Sequence, residues 1–192
     1  FSHETIYIYF LFKKLMSQIY KGLVSFFFKK IYGKIHYFRK KNRHVKVHKI
    51  KKNKRIYKIF EIQNCRIYTD TIHDTAFIQN NEIINEVSFQ LRNLINSNIK
   101  NNKVLKYGTP KFLETLDSPL LCILTGGAGN NNYWHWMYDV LPRIGIVESK
   151  FDLKKFKFFF VPNKEFPYQI DTLKILGILK KSISSKKFKH IY

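Results

Sequence analysis

The chain has 192 residues, of which 35 are Lys or Arg and 13 are Asp or Glu, and its net charge is +22. This length suits one domain, or one domain with an appendage. The charge favours an anionic partner such as nucleic acid, an anionic membrane face or a phosphorylated ligand, although an AT-rich genome would encode the same Lys-, Ile-, Asn- and Phe-rich composition whatever the function. Two cysteines, Cys65 and Cys122, exclude a disulfide-rich scaffold and fit a reducing compartment.

Residues 1–38 have the pattern of a basic amphipathic helix. Leucine, isoleucine and phenylalanine fill one side, and lysines interrupt each apolar run before the roughly 18 residues that a membrane span needs. Such a helix suits the interface of an anionic membrane, and packing on the protein's own core is the alternative. The opposite, polar stripe recurs every three or four residues and consists of Lys14, Ser17, Gln18, Lys21, Ser25 and Lys29.

Residues 39–55 form a run rich in lysine and arginine with little apolar periodicity. We expect a basic linker or an exposed edge here. Phosphate contacts to a nucleic acid would require positive charge alone, but aromatic residues for base stacking are sparse and no nucleic-acid-binding motif follows. The sequence therefore predicts no dedicated nucleic-acid binding.

Residues 56–118 begin with short β-branched or aromatic runs separated by Asn, Asp and Gln, a pattern typical of a small β-meander. Gln79-Asn80-Asn81 fits a hairpin turn. His73-Asp74 falls in another turn, where such a pair is usually solvated. The predicted strands are 56–62, 65–69, 75–78 and 83–87.

Residues 119–192 alternate between strand and helix patterns, which predicts a parallel sheet with right-handed crossovers, a Rossmann-like βαβαβ unit. Functional sites in such folds lie at the carboxyl ends of the strands, and residues 126–135 fall at that position. The predicted order is strand 120–125, helix 132–148, strand 156–161, a helix from Pro167 to Gly177 with Ile170, Leu173 and Leu176 on its buried side, and strand 187–192. The last strand ends in mid-pattern, so we expect a fragment of a longer protein.

The segment GGAGNNNYWHWMYDVLPR, residues 126–143, carries the candidate chemistry. Its glycines allow a sharp turn and a close approach to a ligand, and the start of the following helix offers N–H groups to an anion. The third glycine of a dinucleotide-binding motif and a Walker lysine are both missing from it, so we expect neither NAD nor a P-loop nucleotide site.

Within the predicted helix, His135, Asp139 and Arg143 are spaced by four residues and share one face. Trp134, Tyr138 and Leu141 fit a neighbouring, buried stripe, and Pro142 should kink or loosen the helix, because it cannot donate to the Tyr138 carbonyl. A metal site would need a third ligand that the sequence does not offer nearby, and a nucleophile–base pair lacks a Ser or Cys partner. By spacing alone, these three residues fit a structural role.

Residues 132–143, NYWHWMYDVLPR, closely resemble the N-Y-x-H-W-x-x-[DE]-x-L-P-R signature of the family-61 glycosyltransferases. The resemblance extends over roughly residues 56–192, but not to the first fifty residues. The other segments that carry it are Cys65 to Asp70, Glu86-Val87-Ser88, the strand with Gly126-Gly127, and Asp171-Thr172-Leu173 with Leu176-Gly177.

The resemblance implies a GT-B fold of two facing Rossmann-like domains and an inverting transfer of a sugar from a nucleotide-sugar to a glycan acceptor, with no cofactor and no obligatory metal. In bacteria such enzymes make capsular or other surface polysaccharides, which implies a cytoplasmic protein, peripheral at the inner membrane face. This chain corresponds to the acceptor-side half alone, so we expect it to be inactive by itself and poorly soluble. A non-enzymatic, basic, membrane-associated scaffold or binding module is the alternative.

On this basis the sequence predicts two groups of site residues. The catalytic group is His135, Asp139 and Arg143. The substrate-binding group is Gly126, Gly127, Gly129, Asn131, Asn132, Tyr133 and Trp136.

Overall fold

The computed structural model describes residues 3–37, 45–52, 54–91 and 98–192, which form a mixed α/β protein. The helices are α1 (His3–Tyr32), α2 (Lys103–Tyr107), α3 (Ala128–Asn131), α4 (Tyr133–His135), α5 (Leu141–Glu148) and α6 (Pro167–Ile175). The strands are β1 (His36–Tyr37), β2 (Val45–Lys52), β3 (Arg55–Ile62), β4 (Arg66–Thr69), β5 (Asp74–Gln79), β6 (Glu82–Ile83), β7 (Phe89–Gln90), β8 (Leu120–Cys122), β9 (Phe158–Val161), β10 (Ser182–Ser184) and β11 (His190–Ile191).

Helix α1 confirms the predicted N-terminal helix and contacts the rest of the protein near its C-terminal end. Ser25 is buried, and its hydroxyl donates to the Tyr107 carbonyl at 2.8 Å. Lys29 Nζ donates to the Lys106 carbonyl at 2.6 Å. All side chains from Leu11 to Leu23 are exposed. Over the described residues, no helix combines the length and the hydropathy that a bilayer crossing requires.

The described part of the predicted basic linker is regular structure, so the linker interpretation is wrong for residues 45–52. Strand β2 pairs antiparallel with β3 along its whole length, from Val45 opposite Ile62 to Lys52 opposite Arg55. Lys54 has a positive φ of 63° in the connecting turn. Every position of β2 is at least partly exposed, which fits the alternative of an exposed edge. Residues 39–44 and Asn53 lie outside the described residues.

The predicted meander is confirmed for β4, β5 and β6, which are antiparallel within a sheet of order β1-β6-β5-β4-β11. Its first predicted strand, 56–62, is not part of it, because β3 pairs with β2 in a separate two-stranded sheet. Asn80 and Asn81 both have positive φ, 52° and 59°, as a two-residue hairpin turn between twisted strands requires. The predicted strand 83–87 is reduced to Glu82–Ile83, and β7, which the sequence analysis missed, pairs with β5.

Strands β8, β9 and β10 form a parallel sheet of order β10-β9-β8, with α5 and α6 in the two connections. Gly177 follows α6 at a φ of 68°, and Ile178 N–H donates back to the Leu173 carbonyl, which closes the helix end as a Schellman motif. Leu173 is fully buried, Ile170 is partly buried, and Leu176 is exposed, contrary to the predicted stripe.

The predicted third parallel strand, 187–192, is wrong in both position and direction. The third parallel strand is the serine-containing β10, and residues 190–191 instead pair antiparallel with β4 of the meander sheet. After the parallel sheet, the chain therefore returns to the sheet that contains the meander. Both sheets contribute to one buried cluster, which contains Ile67, Leu124, Phe160 and Ile191. This shared core joins the predicted units 56–118 and 119–192.

Candidate active site

The loop after β8 is folded tightly against the protein itself. Gly126 has a φ of 79° and is buried against Leu91 and the Ile72 carbonyl, and Gly127 N–H donates to the Ile72 carbonyl at 2.9 Å. A Cβ on Gly129 would overlap Thr125 and Val140. The glycines thus permit a close approach, as predicted, but the approaching groups are protein atoms rather than a ligand. Gly126 and Gly129 are buried in this packing and the Gly127 amide is already bonded, which supports a structural role for the loop; their predicted contact with substrate stays a prediction.

The helix that follows is interrupted by a π turn at Trp136–Val140, in which Leu141 N–H donates to the Trp136 carbonyl. Pro142 follows this turn directly. Because proline has no N–H to offer the Tyr138 carbonyl, a widened turn at this point is the loosening that the sequence predicts. The helix therefore changes its phase between His135 and Arg143.

One side of this helix packs into the core. The buried stripe is Trp136, Val140, Ile144 and Val147. The predicted buried stripe is wrong for Trp134 and Tyr138, which are 63% and 61% exposed. Trp136, predicted to contact substrate, is fully buried, and its indole N–H donates to Thr172 Oγ1 at 3.0 Å, so its ring offers no exposed surface in this structure.

His135, Asp139 and Arg143 do come together. His135 Nδ1 lies 2.6 Å from Asp139 Oδ2, and the two side chains are 40% and 49% exposed. A neutral imidazole that donates its Nδ1 proton to this carboxylate keeps a lone pair on Nε2, which can accept a proton from a ligand. Among the described residues, no group of three His, Cys, Asp or Glu side chains is placed to hold a metal ion.

Arg143, the third predicted catalytic residue, bonds to two backbone carbonyls. Its Nε donates to the Asp139 carbonyl at 2.9 Å, and its Nη1 donates to the Leu124 carbonyl at 2.8 Å. The guanidinium therefore ties the helix to the end of β8. Desolvation lowers the pKa of Arg143 below its ordinary value, but an arginine stays charged. Two of its five N–H donors thus hold the π turn, and its predicted catalytic role stays a prediction.

Aromatic rings surround the His135–Asp139 pair. The rings of Trp134 and Tyr138 lie 4.2 Å apart between centroids with an interplanar angle of 31°. Tyr133, which is 57% exposed, meets Tyr168 edge to face at 5.2 Å. The sequence analysis assigned Tyr133 to the site but placed Trp134 and Tyr138 in the core. Both residues lie on the exposed side because the opposite side, with Trp136, Val140 and Ile144, packs into the core.

The three asparagines before the helix have separate roles. Asn132 Oδ1 accepts from His135 N–H at 3.3 Å and caps α4. Asn131 is exposed beside it, where contact with a ligand is sterically open. The Asn130 carbonyl accepts from Asn163 Nδ2 at 3.0 Å and from Gln169 Nε2 at 2.9 Å. Both amides are fully buried, and they hold the loop after β8 against the loop after β9 and against α6.

The loop of His73 and Asp74 forms the other support of the glycine loop. Asp70 Oδ1 accepts three backbone N–H groups, from Ile72, His73 and Asp74, which fixes the turn. Asp74 is buried, not solvated as expected, and its carboxylate accepts from Lys103 N–H at 3.0 Å. This loop therefore acts as a rigid backing, since its Ile72 carbonyl contacts Gly127.

Both cysteines are unsuited to nucleophilic chemistry. Burial raises the pKa of Cys122 to about 11 and that of Cys65 to about 12. Since the thiolate is the reactive form, both side chains are inert near neutral pH. The described structure thus offers neither cysteine as a nucleophile beside the His135–Asp139 pair.

The chain matches no family model, no curated protein and no solved structure. The functional assignment therefore rests on the geometry of the site and on the sequence pattern.

Proposed function

We propose that this chain is the acceptor-side part of an inverting, nucleotide-sugar-dependent glycosyltransferase that transfers a sugar to a hydroxyl of a glycan or surface polysaccharide. The observation that carries the proposal is the exposed His135–Asp139 pair, joined at 2.6 Å and placed beyond the carboxyl end of β8. A hydroxyl acceptor needs a general base at its reacting oxygen, and a histidine held by a carboxylate is suited to that role. The proposal includes the family-61 resemblance and a Rossmann-like half of a GT-B fold.

In this reaction, the acceptor oxygen attacks the anomeric carbon of the donor while the bond from that carbon to the diphosphate breaks. His135 Nε2 takes the acceptor proton, and the Asp139 carboxylate stabilises the resulting imidazolium through Nδ1. The configuration at the anomeric carbon inverts because a single displacement occurs. The diphosphate leaves with the bonding electron pair and requires positive groups. Arg143 is already bonded to two carbonyls, so we assign those groups to the second domain that the resemblance implies.

The exposed aromatic rings fit an acceptor glycan. Sugar rings have apolar C–H faces that pack on aromatic faces, and Trp134 and Tyr138 present such surfaces next to His135. Asn131 and Tyr133 provide polar groups at the same edge, as specificity for hydroxyls requires. We place the reaction in the cytoplasm, at the inner face of a bacterial membrane.

The test is sugar transfer by the product of the complete reading frame, assayed with a panel of nucleotide-sugars and glycan acceptors. We expect transfer with inversion, lost when His135 is replaced by alanine. The 192-residue chain by itself is expected to give no turnover. Full activity of His135→Ala in the complete protein would refute the catalytic assignment and leave the motif a role in packing.

A second candidate function is a non-enzymatic scaffold at a membrane. It is favoured by the large apolar side chains that α1 exposes together with its lysines. The two candidates differ in one measurement: a scaffold keeps its membrane binding but shows no transfer and no nucleotide-sugar hydrolysis with any donor in the complete protein.

A further inference from the structure

Helix α1 packs on the rest of the protein with the polar stripe predicted from the sequence. The contacts come from Ser25 and Lys29, which bond to the carbonyls of Tyr107 and Lys106. Phe28 is buried between them. Residues three and four apart share a helix face, so Lys21 and Lys14 continue this side toward the N-terminus.

The opposite side of α1 is apolar and exposed. We call it the apolar face; its principal side chains are between 49% and 71% exposed and are Leu15, Ile19, Leu23, Phe26 and Phe27. In a soluble amphipathic helix this side would turn toward the core. An exposed apolar patch of this kind marks an interaction site. Since the helix is held by its polar side, the apolar face is directed away from the protein.

The positive charges beside the apolar face favour an anionic partner. From Leu11 to Tyr32 the helix carries Lys13, Lys14, Lys21, Lys29 and Lys30 and contains no acidic residue. A second copy of the chain would bring another net charge of +22 against these lysines, which disfavours self-association. An anionic bilayer interface offers an apolar layer for the leucines and phenylalanines and negative headgroups for the lysines.

From this geometry we infer that α1 lies in the plane of an anionic membrane surface, with its apolar face inserted and its lysines at the headgroups. The hairpin of β2 and β3 presents a second cationic surface that suits the same partner. Lys49 lies opposite Lys58, and Lys52 lies opposite Arg55. Like charges directly opposite each other are unfavourable in a sheet unless an anionic surface compensates them. This inference is independent of the proposed sugar transfer.

The experiment measures co-sedimentation of the full chain with vesicles. We expect binding to vesicles of phosphatidylcholine with 30% phosphatidylglycerol, weaker binding to pure phosphatidylcholine, and a decrease as salt screens the lysines. Leu15→Gln combined with Leu23→Gln removes two exposed apolar side chains and should weaken binding about tenfold or more. Ser17→Gln, on the polar side, is the matched control and should bind as the parent does.

Circular dichroism and the unfolding midpoint verify that the variants fold, which is expected because both leucines are exposed. Three results would overturn the inference. They are no binding of the parent chain at low salt, equal loss in Ser17→Gln, or binding unchanged by the double substitution. A dimer in light scattering that the leucine double variant abolishes, with no vesicle binding, would assign the apolar face to a second copy instead.

Discussion

At the scale of single residues, the chemistry is concentrated in the bond between His135 Nδ1 and Asp139 Oδ2. Both side chains are substantially exposed, so they make few packing contacts that a substitution would remove. A second histidine–carboxylate pair exists in the chain. His48 Nε2 lies 2.9 Å from Glu61 Oε2 on the β2–β3 hairpin. The two pairs have similar local chemistry and different surroundings, which allows a direct comparison.

His135→Ala in the complete protein should lower kcat by about 10²–10⁴-fold, the usual range for the loss of a general base, with little change in Tm. Asp139→Asn should give a similar loss, and the double variant should be no worse than the single ones, because the two residues act as a unit. His48→Ala is the matched control and should keep kcat. Additive losses in the double variant, or an equal loss in His48→Ala, would contradict a shared catalytic role.

Arg143→Lys tests whether the guanidinium supports the turn. Arginine reaches the carbonyls of Asp139 and Leu124 with two different nitrogens, whereas a lysine ammonium on a thinner stem cannot hold both in the same geometry. We expect a decrease of about 1–2 kcal/mol in the free energy of unfolding, measured with urea. Unchanged stability with a large loss of activity would instead indicate direct contact between Arg143 and a substrate.

At the scale of the elements, two tryptophans that are two residues apart lie on different sides of one helix. Trp136 packs under the helix against α6, and Trp134 lies on the surface. Trp136→Phe removes the bond to Thr172 Oγ1 and leaves unfilled volume in a buried cluster, which should cost about 1–3 kcal/mol of stability. Trp134→Phe should change stability by less than about 0.5 kcal/mol, as is usual for an exposed position.

Unfolding in denaturant compares the free energies of unfolding of the two variants. Trp134→Phe should also weaken acceptor binding, which would appear as a raised KM in the complete protein. Equal destabilisation by the two substitutions would show that the exposed ring is also a packing element. Unchanged KM would remove Trp134 from the acceptor surface.

Much of this arrangement follows from patterns that the sequence carries. The helix before residue 32, the Asn80–Asn81 turn and strands β8 and β9 all have local signals, and the four-residue spacing correctly groups His135 with Asp139. The burial of Trp136 rather than Trp134 has no such signal. It depends on which side of the helix packs on the parallel sheet and on α6, a long-range contact that no local pattern contains.

The errors in strand prediction have a similar origin. Strand β10 contains two serines, which do not resemble a buried strand in a sequence. In the fold they are buried because Ser182 Oγ donates to the Ile178 carbonyl and β10 pairs with the central strand of the sheet. The return of residues 190–191 to the meander sheet is a long-range pairing that no local pattern contains. Strand β2 was also not predicted, because its lysines do not form an apolar pattern and its pairing with β3 stabilises it.

At the scale of the whole molecule, His190 lies where three parts of the protein meet. The centroid of its ring lies 4.9 Å from that of Tyr32, at the end of α1, and 6.1 Å from that of Tyr68 in β4. Its Nδ1 lies 3.0 Å from the Lys111 carbonyl. The imidazole is 1% exposed. Burial lowers the pKa of His190 to about 4, the bond to Lys111 opposes this shift, and the nearby Arg66 charge adds to it.

The lowered pKa predicts a loss of stability in mild acid. Between pH 6.5 and 4 the unfolded chain binds a proton at this histidine and the folded chain does not, so the stability present above pH 6.5 decreases as the pH falls toward 4. At pH 5 the loss from this residue should be about 2 kcal/mol. His190→Asn keeps an N–H for the Lys111 carbonyl but cannot titrate. Its free energy of unfolding, measured with urea from pH 7 to 4.5, should therefore fall less steeply than that of the parent chain.

The carboxylates whose pKa is lowered in the fold, Glu61, Asp70 and Glu165, are present in both proteins and contribute the same slope to each. The difference between the two curves thus isolates His190. Because this residue joins α1 to both β4 and the last strand, its protonation should also loosen the docking of α1. Protection of the Tyr32 region from hydrogen exchange should then decrease between pH 6.5 and 5 in the parent chain and stay constant in His190→Asn. Parallel curves for the two proteins would show that the buried imidazole does not govern the acid stability of this junction.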